Sequence, residues 1–270
     1  MSKVIDLSEF SCHVEEGAKI GIGGFDLHRK PLSLVLNLAE NAKARDLELF
    51  GISLALEADL LIGGGKVKKL ISSYTGLESF GQCYFFRESA ESGNVSLTEM
   101  STYAIILSLQ AAALGVEYLP TKTMLHSDMI INNSLVKIIS SPFSEERLAA
   151  VKSYRPDIAL IHAEEADERG NVRIKSPPAI KADELLARAS KRTFVSVEKI
   201  STKRIKNPTI SGLYISHVIH SPGGTAPTSM YPSYDVNPGT IKRYRDGAKE
   251  RGLECCKKVI ADAIKRRREG

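Results

Sequence analysis

Strand and helix patterns alternate along this chain, which predicts an α/β fold built on an open, mostly parallel sheet with helices on both faces. Three observations carry the prediction. Short apolar runs of strand length recur at 19–23, 47–53, 60–63, 69–73, 158–163, 193–198 and 218–220, with helical patterns between them. The first run breaks at Gly23-Gly24, the signature of a tight strand-to-helix turn. With 43% hydrophobic residues in 270, the chain can also bury a substantial core.

The run Lys-Ile-Gly-Ile-Gly-Gly-Phe reads as a strand ending in a turn, and Pro31 opens an apolar stretch, 32–38, at helical spacing. Such a turn lies at the carboxyl edge of an open sheet, where exposed N–H groups and the next helix's positive end point toward a ligand. Ser72-Ser73-Tyr74-Thr75-Gly76 follows another apolar strand and gathers hydroxyls at its end. Glu99 stands just ahead of the clearest helix, which runs from near Ser101 to Leu114 and stops at Gly115; its polar side is thin, so most of its faces should be buried. The segment 120–128 returns from that helix with Lys122 and several hydroxyls, including Ser127. Capping and turn chemistry would explain each of these polar groups as well as ligand binding does. Between 221 and 239, four prolines and three glycines exclude regular structure, and a long ordered loop of that kind usually serves a binding surface. With no internal repeat or low-complexity linker, residues 1–270 read as one domain with a basic C-terminal helix.

Several function classes are excluded or weakened. The longest apolar stretches, such as 111–116, fall far short of the roughly 20 residues of a membrane helix, and the start has no secretory apolar block. A soluble, cytoplasmic protein is expected. Cys12, Cys83, Cys255 and Cys256 form neither a disulfide framework nor a C-x-x-C knuckle. The net charge of +5 sits in the tail: residues 241–270 carry 11 Lys+Arg against 5 Asp+Glu, leaving 26 against 27 elsewhere. No aromatic-laced basic stripe suggests nucleic acid, and Lys265-Arg266-Arg267-Arg268 reads as a solvated helix end. Asp26 replaces the third glycine of a dinucleotide fingerprint, and Gly63-Gly64-Gly65-Lys66 lacks the spacer of a phosphate loop. There is no G-x-S-x-G elbow or H-E-x-x-H, and His126-Ser127-Asp128 reads as a turn bonded by Asp128. No metal is expected.

Taken together, Glu15 to Phe25 with Pro31, Glu99-Met100-Ser101, Gly115 to Thr121, Ala159-Leu160-Ile161-His162-Ala163 with Asp167 and Gly170-Asn171, Val197-Glu198 and Ser221-Pro222-Gly223-Gly224 resemble the A chains of the family I coenzyme A transferases, nearest the glutaconate type. The resemblance implies that coenzyme A is handled as a substrate thioester, with no metal. It also implies a homologous B subunit, in a heterodimer or a dimer of heterodimers, with the nucleophilic glutamate on that partner. That carboxylate attacks an acyl-CoA, and an anhydride and an enzyme-bound CoA thioester follow before CoA passes to a second acid. This chain would then supply one wall of the shared site. Its candidate substrate-binding residues are Gly23, Gly24, Phe25, Arg29, Ser73, Tyr74, Thr75, Gly76, Lys122 and Ser127, with the amides of Gly23 and Gly24 open to substrate. Arg29 has the fork for a carboxylate or a CoA phosphate, though a surface charge at a helix start is an equal reading. The chain also resembles A chains of hydrolases that open a ring in CoA-linked steroid remnants. That branch makes Glu99 a candidate catalytic base, its pKa raised by partial burial; proximity to a helix's positive end would lower it instead.

Overall fold

The structure, a computed structural model, describes residues 2–175 and 182–269. Strands β1 (Val4–Ile5), β2 (Lys19–Ile22), β3 (Leu47–Phe50), β4 (Ser53–Leu54), β5 (Val67–Ser72), β6 (Tyr74–Thr75) and β7 (Ser96–Glu99) occupy the first part of the chain. They are followed by β8 (Tyr118–Thr121), β9 (Val136–Ser140), β10 (Arg147–Lys152), β11 (Ile158–Asp167), β12 (Val172–Arg173), β13 (Arg192–Ser201) and β14 (His217–His220). The helices are α1 (Leu7–Phe10), α2 (Leu32–Asn41), α3 (Leu56–Gly63), α4 (Tyr84–Glu91), α5 (Thr102–Leu114), α6 (Ala182–Ala189) and α7 (Pro238–Glu269).

The main sheet runs β1-β14-β13-β11-β2-β3-β5-β7 and every neighbouring pair on this path is parallel, with β12 added antiparallel to β11. The expected open parallel sheet is therefore present. Its strands alternate between two buried faces, as a doubly covered sheet requires. Ile20, Leu49, Leu70, Leu160 and Phe194 pack into a core with α2, α3 and α7, whereas Phe50, Ile71, Ile161 and Val195 pack into a second core with α5 and α6.

Two departures from the sequence pattern stand out. Residues 60–63, expected as a strand, belong to α3, whose residues 56–62 are all buried. A short apolar run buried on every side carries no period, so strand and helix read alike. Beyond α5 the chain also builds a separate antiparallel sheet, β8-β10-β9, which the alternating pattern did not announce. Gly63 to Lys66 joins α3 to β5 at the amino edge: Gly64 caps the helix, Gly65 turns at φ 61°, and the Lys66 ammonium donates to the Ala42 carbonyl at 2.6 Å. The segment is a helix-to-strand turn.

Helix α5 follows the sequence closely, with Ser101 as N-cap accepting from the Ala104 N–H and Gly115 in the left-handed conformation at its C-terminus. Helix α7 breaks at Gly252 (φ 76°) and doubles back, bringing the Cys256 thiol to 3.6 Å from the Tyr244 carbonyl and the last basic turn beside the first. No helix among the described residues is long and apolar enough to cross a membrane.

Candidate active site at the carboxyl edge of the sheet

Because the strands are parallel, the ends of β2, β3, β5 and β7 lie side by side, and β11 and β13 run several residues past the end of β2. The glycines of β2 serve α6 first. A Cβ at Gly21 would lie 2.5 Å from Leu186 Cδ1, and one at Gly23 would lie 2.7 Å from Asp183 Oδ1. The Gly-Ile-Gly stretch is thus a groove in one face of the sheet that lets α6 approach. Gly24 has a separate reason to be glycine: its φ is +76° and a Cβ would fall 2.5 Å from the His28 carbonyl oxygen.

This geometry corrects the expectation of open amides. The Gly23 N–H donates to the Leu160 carbonyl at 2.9 Å, the Gly24 N–H to the Asp183 carboxylate at 2.9 Å, and the Phe25 N–H to the His28 carbonyl at 3.0 Å. The chain itself satisfies the donors that sequence reasoning assigned to substrate, as buried N–H groups generally are. Arg29 is likewise not a surface charge. It is 3% exposed, pairs with Asp183 and reaches the His162 carbonyl at 3.4 Å. One buried carboxylate, Asp183, therefore joins the Gly24 amide, the Arg29 guanidinium and the start of α6.

The exit from β3 links this turn to the next strand end. Gly51 and Ile52 line a small cavity with Gly23, Gly24 and Asp183, and the Ser53 hydroxyl donates to the Asp26 carboxylate. The Ser73 hydroxyl bonds the Ile52 carbonyl at 2.6 Å and the Thr102 hydroxyl at 3.0 Å; Thr75 pairs with Ser72 at 2.9 Å, and the Gly76 N–H donates to the Leu54 carbonyl at 3.0 Å. Tyr74 is exposed, its hydroxyl accepting from the Glu78 N–H. Glu99 ends the edge strand β7 and is exposed in the isolated chain. Its carbonyl accepts from the Asn133 amide at 3.0 Å.

Lys122 and Ser127 are not drawn into this line of strand ends. They follow β8 in the second sheet, where Lys122 pairs with Glu146 at 2.8 Å on the surface and the Ser127 hydroxyl accepts from the Met129 N–H. The turn at 126–128 is thus capped by Ser127, where sequence reasoning chose Asp128.

Sequence reasoning missed a second cluster on the opposite face. His162, fully buried on β11, has Nδ1 2.8 Å from the Ser196 hydroxyl and Nε2 3.0 Å from Glu198. Glu198 also accepts from the Tyr234 hydroxyl at 2.7 Å and from the Gly223 N–H at 2.8 Å. Burial alone would raise the Glu198 pKa, but the bonds from His162, Gly223 and Tyr234 outweigh it and hold the carboxyl below its usual range. The hub ties β11 and β13 to the glycine-rich loop after β14. His162, Glu198 and Gly223 stand in segments already quoted for the family resemblance, but nothing local in the sequence joins them to one another or to Tyr234.

The carboxyl edge of an open parallel sheet is where such folds place small-molecule ligands, and comparison with known proteins gives this one a family. The chain belongs to the coenzyme A transferase family, whose model matches residues 8–221. It is 31% identical to the A chain of glutaconate CoA-transferase from Acidaminococcus fermentans over 90% of this chain and 82% of that one, and 31% identical to the A chain of 3-oxoadipate CoA-transferase from Pseudomonas knackmussii over 82% and 79%. It is also similar to the cholesterol ring-cleaving hydrolase IpdA subunit from Rhodococcus jostii, at 27% identity over 92% and 87%. The crystal structure of the Acidaminococcus glutaconate enzyme superposes with a TM-score of 0.86 at 29% identity, covering 97% of this chain and 89% of that one.

Proposed function

We propose that the chain is the A component of a two-chain CoA-transferase that moves CoA between an acyl-CoA and a carboxylic acid, its active site completed by a homologous B subunit. The observation that carries this reading is the near full-length match to the A chains of such transferases, together with the same fold. In the reading, a B-chain glutamate attacks the thioester carbonyl and expels CoA thiolate. The thiolate then attacks the glutamyl carbonyl of the resulting anhydride, releasing the first acid and leaving a glutamyl-CoA thioester. The acceptor carboxylate repeats both steps in reverse order and regenerates the glutamate. This chain contributes the wall formed by the β2, β5 and β7 ends. The Gly23-Gly24 turn shapes that wall through Asp183, and residues 73–76 present its polar rim.

Similarity to the ring-cleaving hydrolase supports a second reading on the same scaffold, a CoA-ester hydrolase in which Glu99 deprotonates water or substrate. The exposed Glu99 would be enclosed there by the partner. One experiment separates the two. The complex is incubated with acyl-CoA, with and without an acceptor acid, then treated with borohydride. Acceptor-dependent turnover and a reduced B-chain glutamate are expected. CoA release or ring opening without acceptor, abolished by Glu99→Gln at unchanged fold, would replace the transferase reading with the hydrolase one.

A further inference from the structure

The basic tail is exposed, as the sequence reading of a solvated helix end expects, but one of its arginines is fixed against the fold. The break at Gly252 returns the last turn of α7 to the start of the same helix, and Arg266 and Arg267 line an open cavity of about 190 Å³ with Thr228, Tyr234, Asn237 and Thr240. The Arg267 guanidinium stacks 4.0 Å over the Tyr234 ring and donates to the Ser233 carbonyl at 3.2 Å. Its side chain also packs on Gly223, where a Cβ would fall 2.7 Å from Arg267 Cβ. Tyr234 is in turn fastened to Glu198 at 2.7 Å, so the arginine rests on a ring that the sheet holds still. A stacked guanidinium keeps part of its fork for a ligand while losing little conformational freedom on binding.

The other walls favour the same charge. The first helical half of α7 begins at Pro238, with Asn237 capping the Thr240 N–H at 3.0 Å, so the positive end of that helix opens on the cavity. Asp235 is the one acid among the described lining residues, against two arginines; the buried Thr228 spends its hydroxyl proton on the Thr225 carbonyl, and the Thr240 hydroxyl accepts from Arg243. Two arginines beside a helix start give this wall the charge that would attract an anion.

The cavity also lies next to the candidate active site. Its wall residue Thr228 precedes Ser229, whose carbonyl accepts from the Arg29 N–H at 2.8 Å and whose N–H donates to the Leu27 carbonyl at 2.9 Å. One layer of backbone therefore separates the arginine pair from the loop that leaves Gly24.

We propose that this cavity binds a phosphate group, and that on the CoA-transferase reading, on which this part rests, the group is the 3′-phosphate at the nucleotide end of CoA. The thioester end then lies across the Leu27–Arg29 loop at the strand ends. Calorimetric titration of the assembled two-chain complex with CoA, 3′-dephospho-CoA and inorganic phosphate tests it. CoA should bind more tightly than its dephospho form. Removing each arginine should weaken CoA roughly tenfold, since a charge-assisted bond of this kind is lost each time, with little change for dephospho-CoA. Arg266→Ala, which leaves the Arg267 stacking on Tyr234 in place, is the safer variant for folding; Arg266→Ala with Arg267→Ala is the stronger one, its fold checked by circular dichroism. Equal CoA affinity in wild type and a folded double variant overturns the site while leaving transferase turnover intact. Equal affinity for CoA and dephospho-CoA, with inorganic phosphate binding lost in the double variant, overturns the CoA assignment. If the wild-type complex shows no transfer at all, the functional reading fails. Adenosine 3′,5′-bisphosphate then decides the site alone: arginine-dependent binding upholds it and no binding overturns it.

Discussion

Asp183 shows how much one side chain can govern here. It is the buried partner of Arg29 and the acceptor for the Gly24 amide, and Arg29 Nε has no hydrogen-bond partner among the described residues. Replacing Asp183 with Ala would leave a buried guanidinium without its counter-charge, a loss of about 3–5 kcal/mol. The expected result is a large fall in the urea midpoint, with Asp183→Asn, which keeps an acceptor for Gly24, falling in between. A midpoint unmoved by Asp183→Ala would mean that the ion pair does not hold α6 in place. Gly24→Ala should cost about 3 kcal/mol or more, because the new methyl meets backbone oxygens at 2.5 and 2.7 Å and φ is +76°.

Asp59 is a second buried carboxylate, one whose ionisation is dominated by burial. Asp59 accepts from the Phe86 N–H at 2.8 Å and the Tyr244 hydroxyl at 3.0 Å, yet burial outweighs these bonds and pushes its pKa to about 6. A carboxyl raised in the folded state holds its proton better there than in the unfolded chain. Its contribution is therefore most favourable below the ordinary aspartate value and is lost as pH rises through about 6. Asp59→Asn should gain on wild type by roughly 3 kcal/mol between pH 4 and pH 7. Denaturant titrations at those two pH values would show it; a constant difference would refute the raised pKa.

Among the elements, α5 and α7 contrast in how they end. Ser101 and Gly115 terminate α5 by local chemistry that any reader of the sequence can find. Gly115→Ala, which forces a Cβ into the left-handed region with open space around it, should cost about 1 kcal/mol. Its readout is the thermal midpoint, and no change would mean that the helix end rearranges. Helix α7 is turned by Gly252 in its middle, at a point where the surrounding residues keep a helical composition. That single break converts a tail of scattered lysines and arginines into an arginine-lined cavity.

For the whole molecule, acidification should act through opposed groups: Asp59 gains as pH falls, whereas His28, Asp157, Asp167 and Glu198 lose. Burial first, then the neighbouring Arg29, lowers His28 to about 4, so its contribution is present above pH 6.5 and lost as pH falls toward 4. Burial pushes Asp157, Asp167 and Glu198 upward, but hydrogen bonds, from Lys191, Asn171 and His162 among others, win and hold them low. Their contributions are present above the usual carboxylate values and disappear below them. In an Asp59→Asn background, which removes the opposing carboxyl, the thermal midpoint should be level near pH 7 to 8 and decline on acidification toward pH 4; a midpoint constant to pH 4 there would contradict these assignments.

Local pattern carried much of this protein into view. Apolar runs of strand length marked the parallel sheet, the Gly23-Gly24 break marked its first turn, and capping residues marked α5, because each depends on neighbours within a few positions. Even there, glycine spacing alone could not say whether the amides faced a ligand or a helix. Tertiary structure decided that Asp183, more than 150 residues further on, takes the Gly24 amide, that residues 60–63 form a helix, and that His162 and Glu198 meet Tyr234. Those outcomes depend on contacts between segments distant in the chain, whose strength comes from burial and mutual hydrogen bonding, and neither quantity exists until the sheet has closed around them.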